Sequence, residues 1–208
     1  MRKFNLGKKV FFGFVLIGLL FTQSINAQDK LSADISADIV SSYIWRGGKT
    51  ADASVQPSLS VSYGDFSLGS WASTNLNGDS YKEVDFTASF EKSGFVAAVT
   101  DYWWDGEGAL RYFSSPNAGF SGHMLEGTLG YQLQGSFPLS LTWNTFFMGK
   151  GNKKENGDNS FSTYVELAYP FKIGSIDMGI ATGFTPWESV IYGTDKFKFT
   201  SVQLHAAK

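Results

Sequence analysis

From Leu31 to Trp45 the chain alternates with a period of two. Leu31, Ala33, Ile35, Ala37, Ile39, Ser41, Tyr43 and Trp45 fall on one face, while Ser32, Asp34, Ser36, Asp38, Val40, Ser42, Ile44 and Arg46 fall on the other. Successive side chains of a strand point to opposite sides, so this segment predicts a strand with one apolar and one polar face; a helix would scatter both sets. The same rhythm runs through 55–63, 82–91, 125–133 and 161–171, with less regular strands over 66–76, 95–104, 137–148, 175–185 and 197–207. The pattern predicts ten strands and no helix beyond residue 27.

The connections sort into two kinds. Gly64-Asp65, Lys92-Ser93-Gly94, Gln134-Gly135-Ser136 and Lys172-Ile173-Gly174 read as tight turns. The alternate joins, 46–54, 105–122, 149–160 and 186–196, are longer and more polar, with 77–80 a short exception. Short turns at one end and long loops at the other predict a transmembrane antiparallel up-and-down β-barrel, with turns in the periplasm and loops outside. Aromatic residues near strand ends, among them Tyr43, Trp45, Tyr63, Phe66, Tyr102 to Trp104, Phe146, Phe147, Tyr169, Phe171, Phe184 and Trp187, predict two interfacial girdles. The longest loop, 105–122, carries enough apolar residues to fold over the mouth or into the lumen, whereas 149–160 reads as solvated.

Residues 1–27 do not belong to this pattern. Arg2, Lys3, Lys8 and Lys9 precede an apolar run over 10–21 and a short polar stretch ending in Ala27. This is the layout of a secretory signal peptide. The expected division is therefore a signal over 1–27 and an outer-membrane β-barrel over 28–208, in a Gram-negative envelope. Removing the signal leaves thirteen bases against nineteen acids, a net charge of −6. With no basic excess, a nucleic-acid partner is not expected. The chain has no Cys and two His, so no disulfide framework, metal or other cofactor is implied.

Ser41-Ser42-Tyr43-Ile44-Trp45-Arg46-Gly47, then Gln56-Pro57-Ser58, Tyr63-Gly64 and Gly69-Ser70-Trp71-Ala72-Ser73, resemble the N-terminal signature of the TorF-type porin family, bacterial exported proteins of mostly inferred function. Glu83-Val84-Asp85-Phe86, Asp101-Tyr102-Trp103 and Glu126 with Tyr131 continue the likeness, which spans about 31–205. The resemblance implies an outer-membrane barrel and no particular substrate. Barrels of this kind commonly end on an aromatic strand terminus, whereas this chain stops at His205-Ala206-Ala207-Lys208. That departure favours a missing final hairpin and twelve strands in all.

With apolar stripes facing lipid, the expected lumen carries Asp34, Asp38, Arg46, Glu83, Asp85, Asp101, Glu126, Glu166 and Asp177. An acidic lumen attracts cations, so the expected function is a small porin or channel for small polar solutes or ions, with weak cation preference. The expected partners are outer-membrane lipid, the barrel-assembly machinery and small solutes. Arg46 stands at the end of the first strand, where its planar fork can brace Asp38 and an acid of a neighbouring strand. Catalysis is not expected, but two alternatives stay open. One is an outer-leaflet lipid-modifying barrel enzyme built on His123, with Ser121 beside it and Glu126 three residues on. The other is a soluble periplasmic β-sandwich that binds a ligand.

Overall fold

Alternation becomes a sheet because each apolar stripe must leave the polar one, and only a pleated strand separates them residue by residue. The computed structural model describes residues 31–78, 82–104, 112 and 122–207. Ten strands form one antiparallel sheet: β1 (Ser32–Val40), β4 (Ser54–Tyr63), β5 (Phe66–Asn75), β6 (Lys82–Lys92), β7 (Phe95–Trp103), β8 (His123–Gln132), β9 (Ser140–Met148), β10 (Thr163–Ile173), β11 (Ile176–Thr185) and β12 (Lys198–Ala207). Each strand pairs with the next along the chain, the up-and-down order expected. The signal segment 1–27 and most of loop 105–122 lie outside the described residues.

One predicted strand is two elements. The run 31–45 bends at Ser41-Ser42, and its last part, β2 (Tyr43–Trp45), pairs with β3 (Gly48–Ala51) as a separate hairpin. Its tip is Arg46-Gly47, with φ of 49° and 89°. Two successive positive φ values make the type I′ turn that suits a right-twisted hairpin, and glycine takes the second position without strain. Arg46 is therefore a turn residue of an inserted hairpin, not the polar-face end of the first strand. The join expected at Gln134-Gly135-Ser136 is also longer, with β8 ending at Gln132 and β9 starting at Ser140. Pro138 has no N–H to give a ladder, and Leu133 N donates to Leu139 O across the neck of that loop at 2.9 Å.

The two faces of the sheet differ in kind. Ile35 and Ile39 of β1, Val61, Leu68, Phe86, Val99, Leu129, Leu141, Leu167, Ile180, Val202 and Leu204 all stand exposed on one face, Ile39 at 78%. The other face carries Ser, Thr, Asn, Gln and carboxylates, and these are the buried residues: Gln56, Ser73, Glu83, Thr128, Asn144 and Glu166. The sheet curves so that the polar face encloses a cavity of about 190 Å³, to which β4 to β10 and β12 all contribute. Polar inside and apolar outside inverts the usual arrangement of a water-soluble protein. Among the described residues the sheet keeps two edges, β1 and β12, with no ladder between them.

Candidate functional site

The cavity wall is built from cross-strand hydroxyl and amide pairs. Ser36 meets Ser58 at 2.6 Å, Ser67 meets Ser89 at 2.6 Å, Thr87 meets Thr100 at 3.0 Å, and Thr128 donates to Asn144 Oδ1 at 2.9 Å. Each such bond contributes about 0.5–1.5 kcal/mol net, between half-buried groups except for the buried Thr128 and Asn144. The wall runs from Gly94, Gln132 and Ser140 near the tight turns up to Arg46, Tyr102, Glu126 and Tyr164 near the long loops.

The long-loop end is filled, among the described residues, by a buried cluster, and Arg46 is its centre. The β2–β3 hairpin folds inward and delivers its guanidinium to Glu126 on β8 as a fork, with Nη1 to Oε1 at 2.5 Å and Nη2 to Oε2 at 2.8 Å. The side chains are 9% and 1% exposed. Arg46 also donates to the Tyr192 hydroxyl, and Tyr102 OH donates to Glu126 Oε2 at 2.9 Å. The guanidinium lies 4.7 Å from the Trp45 ring centre and 4.8 Å from that of Tyr164, within cation–π range. Burial opposes the charge on Arg46, but the Glu126 carboxylate outweighs it and the guanidinium stays firmly protonated. Burial likewise holds the Tyr192 phenol protonated well above its ordinary range.

Around this pair packs a ring cluster: Trp45, Tyr102, Trp104, Phe146 and Tyr192, with Met124 and Ile191. Ring centres such as Trp45–Trp104 at 5.6 Å and Tyr102–Phe146 at 5.3 Å sit at favourable edge or tilted separations. Tyr43, Trp45, Tyr102, Trp104 and Phe146, expected in outer girdles, thus turn inward as a stopper. Rings do gather outside at both strand ends, for example Phe66–Phe90 and Phe137–Tyr169 near the turns and Phe184, Phe197 and Phe199 near the loops.

Loop 149–160 is not simply solvated. Asn152 is fully buried, donating to Phe146 O at 2.8 Å and accepting from Ser162 N at 3.2 Å. Ser160 and Ser162 accept from Val190 N and Ile191 N at 3.1 Å, which ties this loop to 186–197 over the mouth. Only its tip, where Lys154 pairs with Glu188 at 2.8 Å, reads as the exposed loop expected.

The candidate residues divide as follows. Asp34 and Asp38 face inward on β1, in register with Ser60 and Gln56. Glu83, Asp85, Glu126 and Glu166 are buried on the same face. Glu166 accepts from Tyr164 OH at 2.8 Å and from Gln203 at 3.4 Å, and Glu83 accepts from Trp104 Nε1. Arg46 braces Glu126, not Asp38. Asp177 sits at the exposed turn end, paired with Lys172 at 2.6 Å. Asp101 is a correction: it pairs in register with Phe86 and Leu125 and stands on the outer face, because the period of β7 starts from Phe95 and Val99 outside. There it accepts from Tyr112 at 2.6 Å and contacts His123 Nδ1 at 2.7 Å. His123 and Glu126 therefore lie on opposite faces and form no pair; Ser121 is outside the described residues.

Tyr164 owes its place to Gly183 on β11. A Cβ at position 183 would overlap the Tyr164 hydroxyl and the ring carbon that bears it. Gly183→Ala is expected to push the ring off Glu166 and Ser201 and to destabilise the fold by about 1–3 kcal/mol. Chemical unfolding followed by tryptophan emission measures it.

No family model matches this chain, and no curated protein or solved structure matches it significantly.

Proposed function

We propose that the chain is a small outer-membrane β-barrel of channel type, passing small polar solutes or ions with a weak preference for cations, and closed at its outer end in this conformation. The inverted sheet carries this reading: an apolar face with Ile39, Val99, Leu129 and Val202 exposed, and a hydroxyl and carboxylate face turned inward. In water that outer face would be a liability; in a bilayer it is the favoured surface. Among the described residues no second sheet covers the apolar face as in a β-sandwich; the two-stranded β2–β3 hairpin packs on the polar side. The resemblance to TorF-type porins points the same way.

The two sheet edges need partners in hydrocarbon, since unpaired backbone groups are costly there. In this reading the backbone groups of β1 and β12 find partners when the sheet closes on itself. The stopper then separates a periplasmic vestibule from the outer side, and solute passage requires the β2–β3 hairpin to move. Lumen acids exceed bases, with Arg46 already neutralised by Glu126, and this favours cations.

The test is physical fractionation. The processed protein is expected to float with lipid vesicles, and to run faster on a gel when unheated than when boiled. Recovery in the soluble fraction with one mobility at both temperatures contradicts the reading.

The lipid-enzyme alternative keeps one observation: the Asp101–His123 contact lies at the loop end of the outer face, and an acid on Nδ1 leaves Nε2 to act as a base. The described residues supply no nucleophile beside it.

A further inference from the structure

Asp85 is the group at the top of the cavity that the closure does not use. It lies on β6, in register with Trp71 of β5 and Tyr102 of β7, and its side chain lines the cavity. It is 7% exposed; its carboxyl group meets the Glu83 side chain and the Trp103 backbone N–H, while its Oδ1 is buried with no donor among the described residues. Nearby acids are provided for: Arg46 and Tyr102 donate to Glu126, Tyr164 and Gln203 to Glu166, and Trp104 to Glu83. Arg46 is the only base among the lining residues, and its charge is spent on Glu126.

A buried acceptor without a donor is costly and rare. It calls for a partner that supplies N–H or O–H, and no base among the described lining residues is left to balance the Asp85 carboxylate, so a cationic donor suits it best. The space is small, about 190 Å³, with Trp71 on one side and serine and threonine hydroxyls below. Among the described residues no group of three or more His, Cys, Asp or Glu side chains is assembled.

We propose that the cavity binds a small primary ammonium ion entering from the tight-turn end, its N–H donating to Asp85 Oδ1 and its carbons lying against Trp71. A charged N–H to a carboxylate is among the stronger hydrogen bonds, and an aromatic face adds to it. This deepens the proposed cation preference, resting on the reading of the polar face as a barrel interior but not on conduction.

The probe is ethanolammonium, titrated into the detergent-folded full chain and followed by tryptophan emission and calorimetry, with ethylene glycol as its uncharged counterpart. Saturable ethanolammonium binding is expected, with glycol binding at least about tenfold weaker. Asp85→Asn keeps the shape, removes the charge and is expected to weaken ethanolammonium by about tenfold or more. Asp158→Asn, at the exposed tip of a loop outside the cavity, is expected to leave affinity within about twofold. Equal affinity for glycol, unchanged binding by Asp85→Asn, or no saturable binding overturns the proposal. The heat-dependent gel shift is read on every sample and reports separately on the barrel reading.

Discussion

Arg46→Ala is expected to destabilise the folded chain by about 3–5 kcal/mol, the usual consequence of removing one member of a buried ion pair. The loss comes mainly from Glu126, which is 1% exposed and would keep one donor, Tyr102, in place of a bidentate guanidinium. Trp45, Tyr164 and Tyr192 would lose the cation they surround. Urea unfolding in lipid vesicles, followed by tryptophan emission, measures the effect. Two further variants separate the pair from its parts. Glu126→Gln should cost a comparable amount, since it leaves the Arg46 charge buried without its counter-ion. Arg46→Met combined with Glu126→Leu should recover much of the loss, because two apolar groups leave no buried charge behind. A change below about 1 kcal/mol for Arg46→Ala, within the range of exposed pairs, contradicts the bracing role.

Gly47→Ala is expected to unseat the stopper while leaving the sheet intact. Gly47 has φ of 89°, and a Cβ there would fall on the Thr200 carbonyl oxygen and against Ser201 of β12. Neither can yield cheaply, since one is sheet backbone and the other is packed beside it. The hairpin tip must then withdraw and carry Arg46 away from Glu126. Backbone strain of this kind costs on the order of 1–3 kcal/mol. In planar bilayers the variant is expected to show more frequent and larger openings than the unaltered chain, while its unboiled gel mobility stays that of the folded form. Unchanged conductance together with unchanged unfolding would mean that the hairpin does not seal the lumen.

The sequence was most informative where strands have two different faces. Ser32 to Val40 and Lys82 to Lys92 alternate cleanly, so both their existence and their inward carboxylates could be read directly. Alternation does not say which strand a segment pairs with. Tyr43 and Trp45 keep the phase of β1, yet belong to a separate hairpin after the bend at Ser41-Ser42. The Arg46-Gly47-Gly48 run is the available sign of a turn, yet by composition alone it equally marks the start of a loop. Asp101 was misplaced because Val96, Ala97, Ala98 and Val99 give no contrast between faces. Asn152 and Ser162 look like ordinary loop residues, and only tertiary contacts turn them into a brace. The inward rings were also out of reach of composition, since an interfacial girdle and a stopper draw on the same residue types. The Arg46–Glu126 pair joins positions eighty apart in the chain, so no local pattern could have located it.

The apolar face of the sheet is expected to meet lipid, and the polar face is not. The chain has no cysteine, so single spin labels can be attached without removing any native residue of that type. Val99→Cys, Leu129→Cys and Leu167→Cys place labels on the outer face, and Thr100→Cys and Thr128→Cys place them on the inner one. In reconstituted vesicles the first three are expected to be accessible to oxygen and shielded from a water-soluble nickel reagent, with the reverse order for the last two. Outer-face labels that the nickel reagent reaches freely, with no alternation along β7 and β8, would contradict the account.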